Sequence, residues 1–192
     1  MSCEETSSDA APSVSPNCRP LDDTKLTSFQ PAAPALVPLF RCECTVGSVH
    51  VVGQTSVGMR KIIPLESAVL TSSDATSPFH GARLLEGGAA DYLRTDAEGT
   101  AWLDARYAFL LRSGRTLYVQ SSGTRYGHSA EAGQKLLEGK EEVEVGEYCF
   151  RLRLILECED EHEEIRKACK SLVIASAVRG TRSVVYDAYL VQ

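Results

Sequence analysis

The chain has 192 residues, of which 43% are hydrophobic, and its formal net charge is −6. This length fits one domain with a tail, and the acidic balance excludes proteins that hold a nucleic-acid backbone by charge. The seven cysteines are an odd number. With no secretory leader and no apolar run of roughly 20 residues, they predict a reduced, cytoplasmic protein without a membrane partner.

Residues 1–34 are rich in Ser, Pro and Ala and contain few large apolar side chains. Such a segment buries too little surface to offset the entropy of ordering, so we predict a flexible tail over 1–34 and a single domain over 35–192. From Leu36 onward, short β-branched and apolar segments separated by Gly or Pro indicate strands. The first predicted strands are Leu39–Val46, Val49–Val52, Lys61–Leu70, Phe79–Leu85 and Tyr92–Thr95.

The segment Ala101–Gly123 predicts two strands of alternating character joined by a tight turn at Ser113-Gly114. A two-residue turn places Arg112 opposite Arg115. One face of the hairpin then carries Asp104 and Arg106, and the other face carries Tyr107, Phe109 and Tyr118. Because an unpaired buried charge is costly, we expect the charged pair either to face water or to line a polar cavity, and we favour the cavity.

Two helices are predicted in the second half of the chain. Ser129–Lys140 has a serine N-cap, and Asp160–Ser171 has apolar residues at helical spacing, with acids first and bases last. The remaining predicted strands are Glu147–Glu157, Leu172–Val178 and Ser183–Val191. If the last strand pairs with the first, the sheet closes. We therefore predict a mainly β protein, a closed antiparallel β-barrel with one or two short helices.

The cysteines and histidines do not show metal-site spacing. Cys42 and Cys44 lie two apart on a strand without a second Cys or His pair, so we predict core residues and no metal. A phosphate loop, a dinucleotide fingerprint and Gly-x-Ser-x-Gly are absent, so neither a nucleotide cofactor nor a serine hydrolase is indicated. His50 and His80 are either structural or face a cavity as acid–base groups.

Several polar residues are embedded in the predicted strands. A barrel of about eight strands can hold one small ligand, where Tyr packs on an aromatic group and Arg holds an oxyanion. Two interpretations stay open, a polar cavity or an internal salt bridge of Asp104 or Glu157 with Arg106 or Arg151. The residues concerned are Asp104, Arg106, Tyr107, Tyr118, Gln120, Tyr148, Arg151, Glu157, Tyr186, Asp187 and Tyr189.

A series of short motifs runs through nearly the whole folded part. They are RKIIP at 60–64, FHG at 79–81, Gly87-Gly88 before Asp91, LDARY at 103–107, Gly114 with Tyr118-Val119, YCFR at 148–151, Glu157, and VYDAY at 185–189. In order and spacing they resemble a bacterial and fungal family known as domain of unknown function 3237, or UPF0311. The resemblance implies an antiparallel β-barrel. The resemblance to its fungal members further implies an enzyme that closes a ring on chalcone-type phenols in natural-product pathways.

The chain departs from the family pattern at two places. An apparent one-residue insertion in Gly-Gly-Ala-Ala-Asp-Tyr shifts Asp91 and puts its family role in doubt. A charged helical segment including Ile165-Arg166-Lys167 stands where the family tends to have Trp-Leu-Asn, so a ligand contact from that asparagine is not carried over.

We therefore predict a cofactor-free isomerase or cyclase that closes an oxygen ring by intramolecular conjugate addition on a phenolic, polyketide-like substrate, of the chalcone-to-flavanone type. A phenol of pKa about 10 must be held as phenolate, and the developing enolate must accept hydrogen bonds. The expected catalytic roles are phenolate binding by Arg106 or Arg151, donation by Tyr107 or Tyr118, proton transfer by His50 or His80, and orientation of the arginine by Asp104. The expected substrate contacts are Trp102, Tyr148, Arg151, Glu157 and Tyr186.

Two other functions stay open. One is a non-catalytic barrel that carries a small aromatic or lipid-like molecule. The other is a lactone or ester hydrolase that activates water between Asp104 and a histidine. Outward aromatic side chains on barrel strands also predict a homodimer that covers them.

Overall fold

The structure is a computed structural model that describes residues 31–139 and 142–192. The tail predicted over 1–34 lies outside the described residues except for 31–34. Pro34–Gln192 form one compact unit.

Long antiparallel strands make up most of this unit, with two short helices between them. The strands are β1 (Leu36–Val46), β2 (His50–Thr55), β3 (Gly58–Thr71), β4 (Arg83–Leu84), β5 (Ala90–Asp91), β6 (Arg94–Thr95), β7 (Ala101–Leu110), β8 (Thr116–Gly127), β9 (Tyr148–Glu157), β10 (Val173–Arg179) and β11 (Ser183–Val191). The helices are α1 (Ala130–Glu138) and α2 (Glu163–Lys170). Neither described helix is long and apolar enough to cross a membrane.

The sheet closes on itself through β1, which pairs antiparallel with β11 on one side and with β3 on the other. From β11 the order runs through β10, β9, β8 and β7, and the short strands β4, β5 and β6 lie between β7 and β3. The described residues thus form a closed antiparallel barrel of eight strand positions. The prediction of a closed barrel with short helices is confirmed. The predicted strand Phe79–Leu85 is mostly turn, and only Arg83–Leu84 pairs.

The turn between β7 and β8 differs from the prediction by one residue. Leu111 donates its N–H to the carbonyl of Arg115, so the loop has three residues, and Gly114 has φ +80° in the left-handed region. Ala108 therefore lies opposite Tyr118, and Tyr107 opposite Val119. Because opposite residues share a face, Tyr118 lies on the face of Arg106 rather than on that of Tyr107.

One end of the barrel is filled by side chains, and we call it the closed end. Phe79 is fully buried there, with its ring centroid 5.2 Å from that of Phe40. Helix α2 covers the same end with the buried residues Ile165 and Ala168, and Ser77 Oγ donates to the Glu164 carboxylate at 3.2 Å.

The opposite end, where β8 stops and β9 begins, is the mouth. Helix α1 starts at Ser129, whose side chain accepts from the N–H of Ala132, and it ends at Gly139 in the left-handed region. A Cβ on Gly127 would lie 2.3 Å from the backbone nitrogen of Gly133, so glycine is needed for α1 to approach β8 this closely.

Candidate functional site

The barrel interior contains a narrow cavity that opens into a cleft at the mouth. The cavity volume is about 60 Å³ and its wall is largely apolar. The cleft at the mouth is larger, about 330 Å³, and is bordered by α1, β2 and the chain after β10. Cavity and cleft adjoin, because Val46, Ile63, Leu93, Arg125 and Arg179 line both.

The strand register orders the inward side chains in rows that run around the wall. The row nearest the mouth, which we call the mouth row, is Thr95, Ala101, Arg125 and Phe150. A deeper row, which we call the inner row, is Asp91, Ala105, Ser121 and Leu154. The rows are four residues apart along a strand, about 13 Å between Cα atoms, with leucines between them.

Asp91 is the carboxyl group of the cavity. Its Oδ1 accepts a hydrogen bond of 3.0 Å from the backbone N–H of Asp104, and Oδ2 has no hydrogen-bond donor within 31–139 and 142–192. Burial raises the pKa of Asp91 from 3.8 to about 6, although the hydrogen bond from Asp104 and the positive charge of Arg125 oppose the rise. Near neutral pH this carboxyl can therefore both accept and return a proton.

Arg125 and Arg179 bring two positive charges to the junction of cavity and cleft. Arg125 is only 5% exposed, and its guanidinium carbon lies 5.6 Å from the Phe150 ring centroid. Burial and the like charge of Arg179 lower the pKa of Arg125 to about 10, and burial also lowers the pKa of Arg179. Both side chains stay charged at pH 7. In the described part of the chain, neither guanidinium has a hydrogen bond or a direct ion pair.

A second polar group of side chains lies farther from the mouth. The hydroxyls of Tyr107 and Tyr186 are 2.9 Å apart. Ser121 lies within hydrogen-bond reach of Tyr107, and Cys42 within reach of Tyr186. Burial raises the pKa of both tyrosines well above 10 and that of Cys42 to about 12. At neutral pH these groups are uncharged donors facing the cavity.

The expected position of Asp104 and Arg106 on the cavity wall is wrong. Inward residues of β7 are Ala105, Tyr107 and Phe109, so the alternate residues point out of the barrel. Arg106 Nη1 instead donates to Asp104 Oδ1, and the two side chains are 35% and 48% exposed. The pair is an ion pair on the outer face, which is neither the cavity wall nor the internal salt bridge.

The other predicted residues divide between the two faces and the ends. Tyr107 and Tyr186 line the cavity, and the buried Tyr148 accepts at its hydroxyl from the N–H of Arg179 at 3.0 Å. Those outside are Tyr118, Trp102, Arg151 and Glu157, on outward positions of β7, β8 and β9. Trp102 donates to Asp96 at 2.7 Å and packs under Arg94, with 4.7 Å between the guanidinium carbon and the ring centroid.

The histidines lie apart from the cavity. His50 is exposed at the start of β2, and His80 is in the turn segment at the closed end, where its Nδ1 lies 3.1 Å from the backbone N and O of Ser72. Neither lines the cavity or lies beside Asp104. The arrangement expected for a hydrolase, with water between Asp104 and a histidine, is therefore not formed. Cys42 and Cys44 are buried, as predicted for core residues.

Because Arg106 lies outside the barrel, Arg106→Ala is expected to change stability by less than about 1 kcal/mol, the usual contribution of an exposed ion pair. Binding of ligands in the cavity should stay within twofold of wild type. Denaturant unfolding and isothermal titration measure the two effects. A loss of stability above about 2 kcal/mol, or a large loss of binding, would contradict the outward placement.

Three residues of the site, Asp91, Arg125 and Arg179, were missed as candidates. Arg125 could have been found, since it shares strand parity with Leu117, Val119 and Ser121 on the apolar face of β8. The apparent insertion before Asp91 makes its family role uncertain from sequence, but the register of β5 against β3 and β7 turns its carboxyl inward. The position of Arg179 at the end of a short strand gives no comparable signal.

Comparisons with known proteins agree with this fold. Residues 34–191 match a family described as "Protein of unknown function (DUF3237)", and the chain belongs to this family. A UPF0311 protein of Bradyrhizobium diazoefficiens is 29% identical over 153 residues, which cover 80% of this chain and 93% of the relative.

Solved structures show the same barrel. A conserved protein of unknown function from Rhodopseudomonas palustris aligns with TM-score 0.74 and 25% identity, over 84% of this chain and all of the other. An enzyme from Penicillium herquei aligns with TM-score 0.57 and 13% identity, over 86% of this chain and 99% of the other. At that identity the likeness concerns the fold.

Proposed function

We propose that this member of the DUF3237 family is a cofactor-free isomerase or cyclase that closes an oxygen ring on a phenolic substrate, with Asp91 moving the proton. The observation that supports it most is one partly buried carboxyl, with its pKa raised to about 6, that faces an apolar cavity. The same cavity is lined by two arginines whose guanidinium groups make no hydrogen bond or direct ion pair in the described part of the chain. The barrel fold also occurs in an enzyme, so it is compatible with catalysis.

The reaction needs one proton to move twice. Asp91, as carboxylate, accepts the phenol proton, and the phenolate oxygen attacks the β-carbon of an enone. The electron pair of the C=C bond shifts toward the carbonyl oxygen, and protonated Asp91 then returns its proton to the α-carbon. Substrate and product have the same composition, and no oxidant or reductant is needed. Transfer from a phenol of pKa about 10 to a carboxylate is uphill, and the positive charges of Arg125 and Arg179 offset this by stabilising the anion.

The sizes of the two spaces constrain where the substrate lies. The cavity, at about 60 Å³, is smaller than the roughly 150 Å³ of an apolar cavity that binds benzene. The body of a two-ring phenol must therefore occupy the cleft of about 330 Å³ at the mouth. Only a small group reaches the cavity, so the reacting end of the substrate enters it toward Asp91 while the rings stay in the cleft.

The test uses 2′-hydroxychalcone as substrate. Loss of the chalcone absorption and chromatographic detection of flavanone give the rate, and wild-type protein is compared with buffer, with Asp91→Asn and with Arg106→Ala as a matched outer-face control. Wild type and Arg106→Ala should exceed the buffer rate, while Asp91→Asn should not. A wild-type rate equal to the buffer rate would overturn the proposal.

The enzymatic rate should also depend on one ionisation. Because the carboxylate form of Asp91 is the base, kcat/KM should fall tenfold per pH unit below about pH 6 and level off above it. Rates measured from pH 4.5 to 8, after subtraction of the buffer rate at each pH, provide the profile. A profile that is flat through pH 6 would assign the proton transfer to another group.

A non-catalytic binding barrel is the second candidate function. The mostly apolar cavity inside the barrel supports it, since binding needs no more than a shaped site. In the same experiment, tight binding of the chalcone without ring closure would favour this candidate. The cytoplasmic location and the homodimer stay proposals, supported by the unpaired thiols of the described cysteines and by the outward rings of Tyr92 and Trp102.

A further inference from the structure

The mouth row contains two buried polar atoms that lack partners. Within residues 31–139 and 142–192, Thr95 Oγ1 and Arg125 Nε are the buried side-chain oxygen and nitrogen atoms without a hydrogen bond. The residues are only 7% and 5% exposed, and both line the cleft. Native proteins keep few such atoms, because each loses water without replacing it. Their occurrence at one place calls for a ligand that supplies the missing acceptor.

Strand register brings the two atoms onto one wall. Thr95 on β6 lies opposite Ala101, and Ala101 lies opposite Arg125 on β8. The side chains therefore share the inward face and flank a single methyl group, with Cα atoms about 10 Å apart across two strand spacings. A small residue between two long or polar ones leaves room for a group bound between them.

The positive charge at the mouth row favours an anionic ligand group. Arg179, whose guanidinium likewise makes no hydrogen bond in the described part of the chain, lines the same cleft. Asp91 belongs to the inner row and does not form a direct ion pair with either arginine in that part. Buried guanidinium groups are normally paired, and a carboxylate accepts two parallel N–H donors from one of them. Thr95 can donate its hydroxyl hydrogen to the same anion.

From these observations we infer that the mouth row is a carboxylate-binding subsite, and that the substrate is a hydroxylated unsaturated carboxylic acid. Arg125 Nε, Arg179 and Thr95 Oγ1 hold the carboxylate, while apolar side chains of the cleft such as Val49, Val51 and Leu136 contact the body of the molecule. Only a small hydroxylated group is of a size to enter the cavity toward Asp91. The inference deepens the proposed function and rests on it only for the reaction at Asp91. The carboxylate subsite itself is independent of turnover.

The test measures binding with trans-4-hydroxycinnamate and with its methyl ester, which keeps the shape and lacks the charge. Isothermal titration at low salt should give at least about tenfold tighter binding of the acid, the discrimination that a hydrogen-bonded charge provides. Acetate should bind far more weakly than the acid, because it lacks the apolar body. Equal affinity for acid and ester, or for acid and acetate, would overturn the inference.

Two variants assign the subsite to these atoms. Arg125→Lys keeps the charge but removes Nε, and should weaken acid binding about 10- to 100-fold with little effect on the ester. Thr95→Val is isosteric, and should weaken acid binding about three- to tenfold while raising the melting temperature of the ligand-free protein, since a buried hydroxyl without a partner is removed. If both variants bind the acid as wild type does, the inference fails.

Turnover of 2′-hydroxychalcone, which has no carboxylate, separates this inference from the proposed function. Ring closure of the chalcone without preference for the acid leaves the proposed function standing and overturns the subsite. Strong, Arg125-dependent binding of the acid without ring closure does the reverse.

Discussion

Asp91→Asn is expected to lose about 10²- to 10⁴-fold in turnover while gaining stability at neutral pH. The activity falls because the amide cannot move a proton. The stability rises because the carboxyl must be ionised at pH 7 in a site where burial has raised its pKa from 3.8 to about 6. That shift corresponds to roughly 3 kcal/mol at pH 7 as an upper figure.

The sign of the pH dependence follows from the two pKa values. Between pH 4 and 6 the folded protein holds a proton on Asp91 that the unfolded chain has released, so this residue makes the free energy of unfolding decrease as pH rises through that window. The variant lacks this term. The two proteins should therefore have similar stability near pH 4 and diverge up to pH 6, above which the gap stays constant.

Denaturant unfolding at half-unit steps from pH 4 to 8 measures this gap. Asp104→Asn is the matched control, since Asp104 is a half-exposed carboxyl on the outer face paired with Arg106. Its stability difference from wild type should stay below about 1 kcal/mol. An Asp91→Asn protein that is less stable than wild type at pH 7 would show that Asp91 is a stabilising partner of the arginines.

Phe79→Ala is expected to lower the free energy of unfolding by about 3–5 kcal/mol. The Phe79 ring is fully buried at the closed end and packs on Phe40, so truncation leaves a cavity in the core. For a domain of this size the loss corresponds to a fall in melting temperature of about 6–20 °C.

The control for this variant is Leu110→Ala, a truncation at the same end of the barrel on a side chain that is 46% exposed. It should cost much less than Phe79→Ala, and the two costs are compared by thermal and denaturant unfolding. Ligand binding at the mouth should survive in folded Phe79→Ala protein. A cost below about 1 kcal/mol would mean that the closed end is not packed around this ring.

The strands and helices were predictable because their patterns are local. Alternation identifies β7 and β8, serine and glycine mark the ends of α1, and charge order marks α2. Closure of the barrel followed from one long-range inference, the pairing of the terminal strand with β1. The apolar residues of Phe79–Leu85 predict a strand, but Phe79 lies in a turn, and its buried side chain fills the closed end of the barrel.

The site was harder to predict because it depends on register and on which face is inside. A turn of three residues instead of two moved Tyr118 to the outer face. Asp104 and Arg106 were correctly placed on one face, but that face points outward, since the inside of a small barrel is filled by Ala105, Tyr107 and Phe109. The apparent one-residue insertion before Asp91 argues against a role for this residue, but the pairing of β5 with β3 and β7 still places Asp91 on the inner face.

The catalytic group of this account is the partly buried carboxyl of Asp91, in a cavity that Arg125 and Arg179 also line. A carbon-13 NMR titration of aspartate-labelled full-length protein tests it directly, with the Asp91 carboxyl assigned by its absence in Asp91→Asn. We predict a pKa near 6 in the free protein, and an upward shift when trans-4-hydroxycinnamate brings its negative charge to the mouth. A pKa near 4 that does not move on addition of the acid would contradict the account.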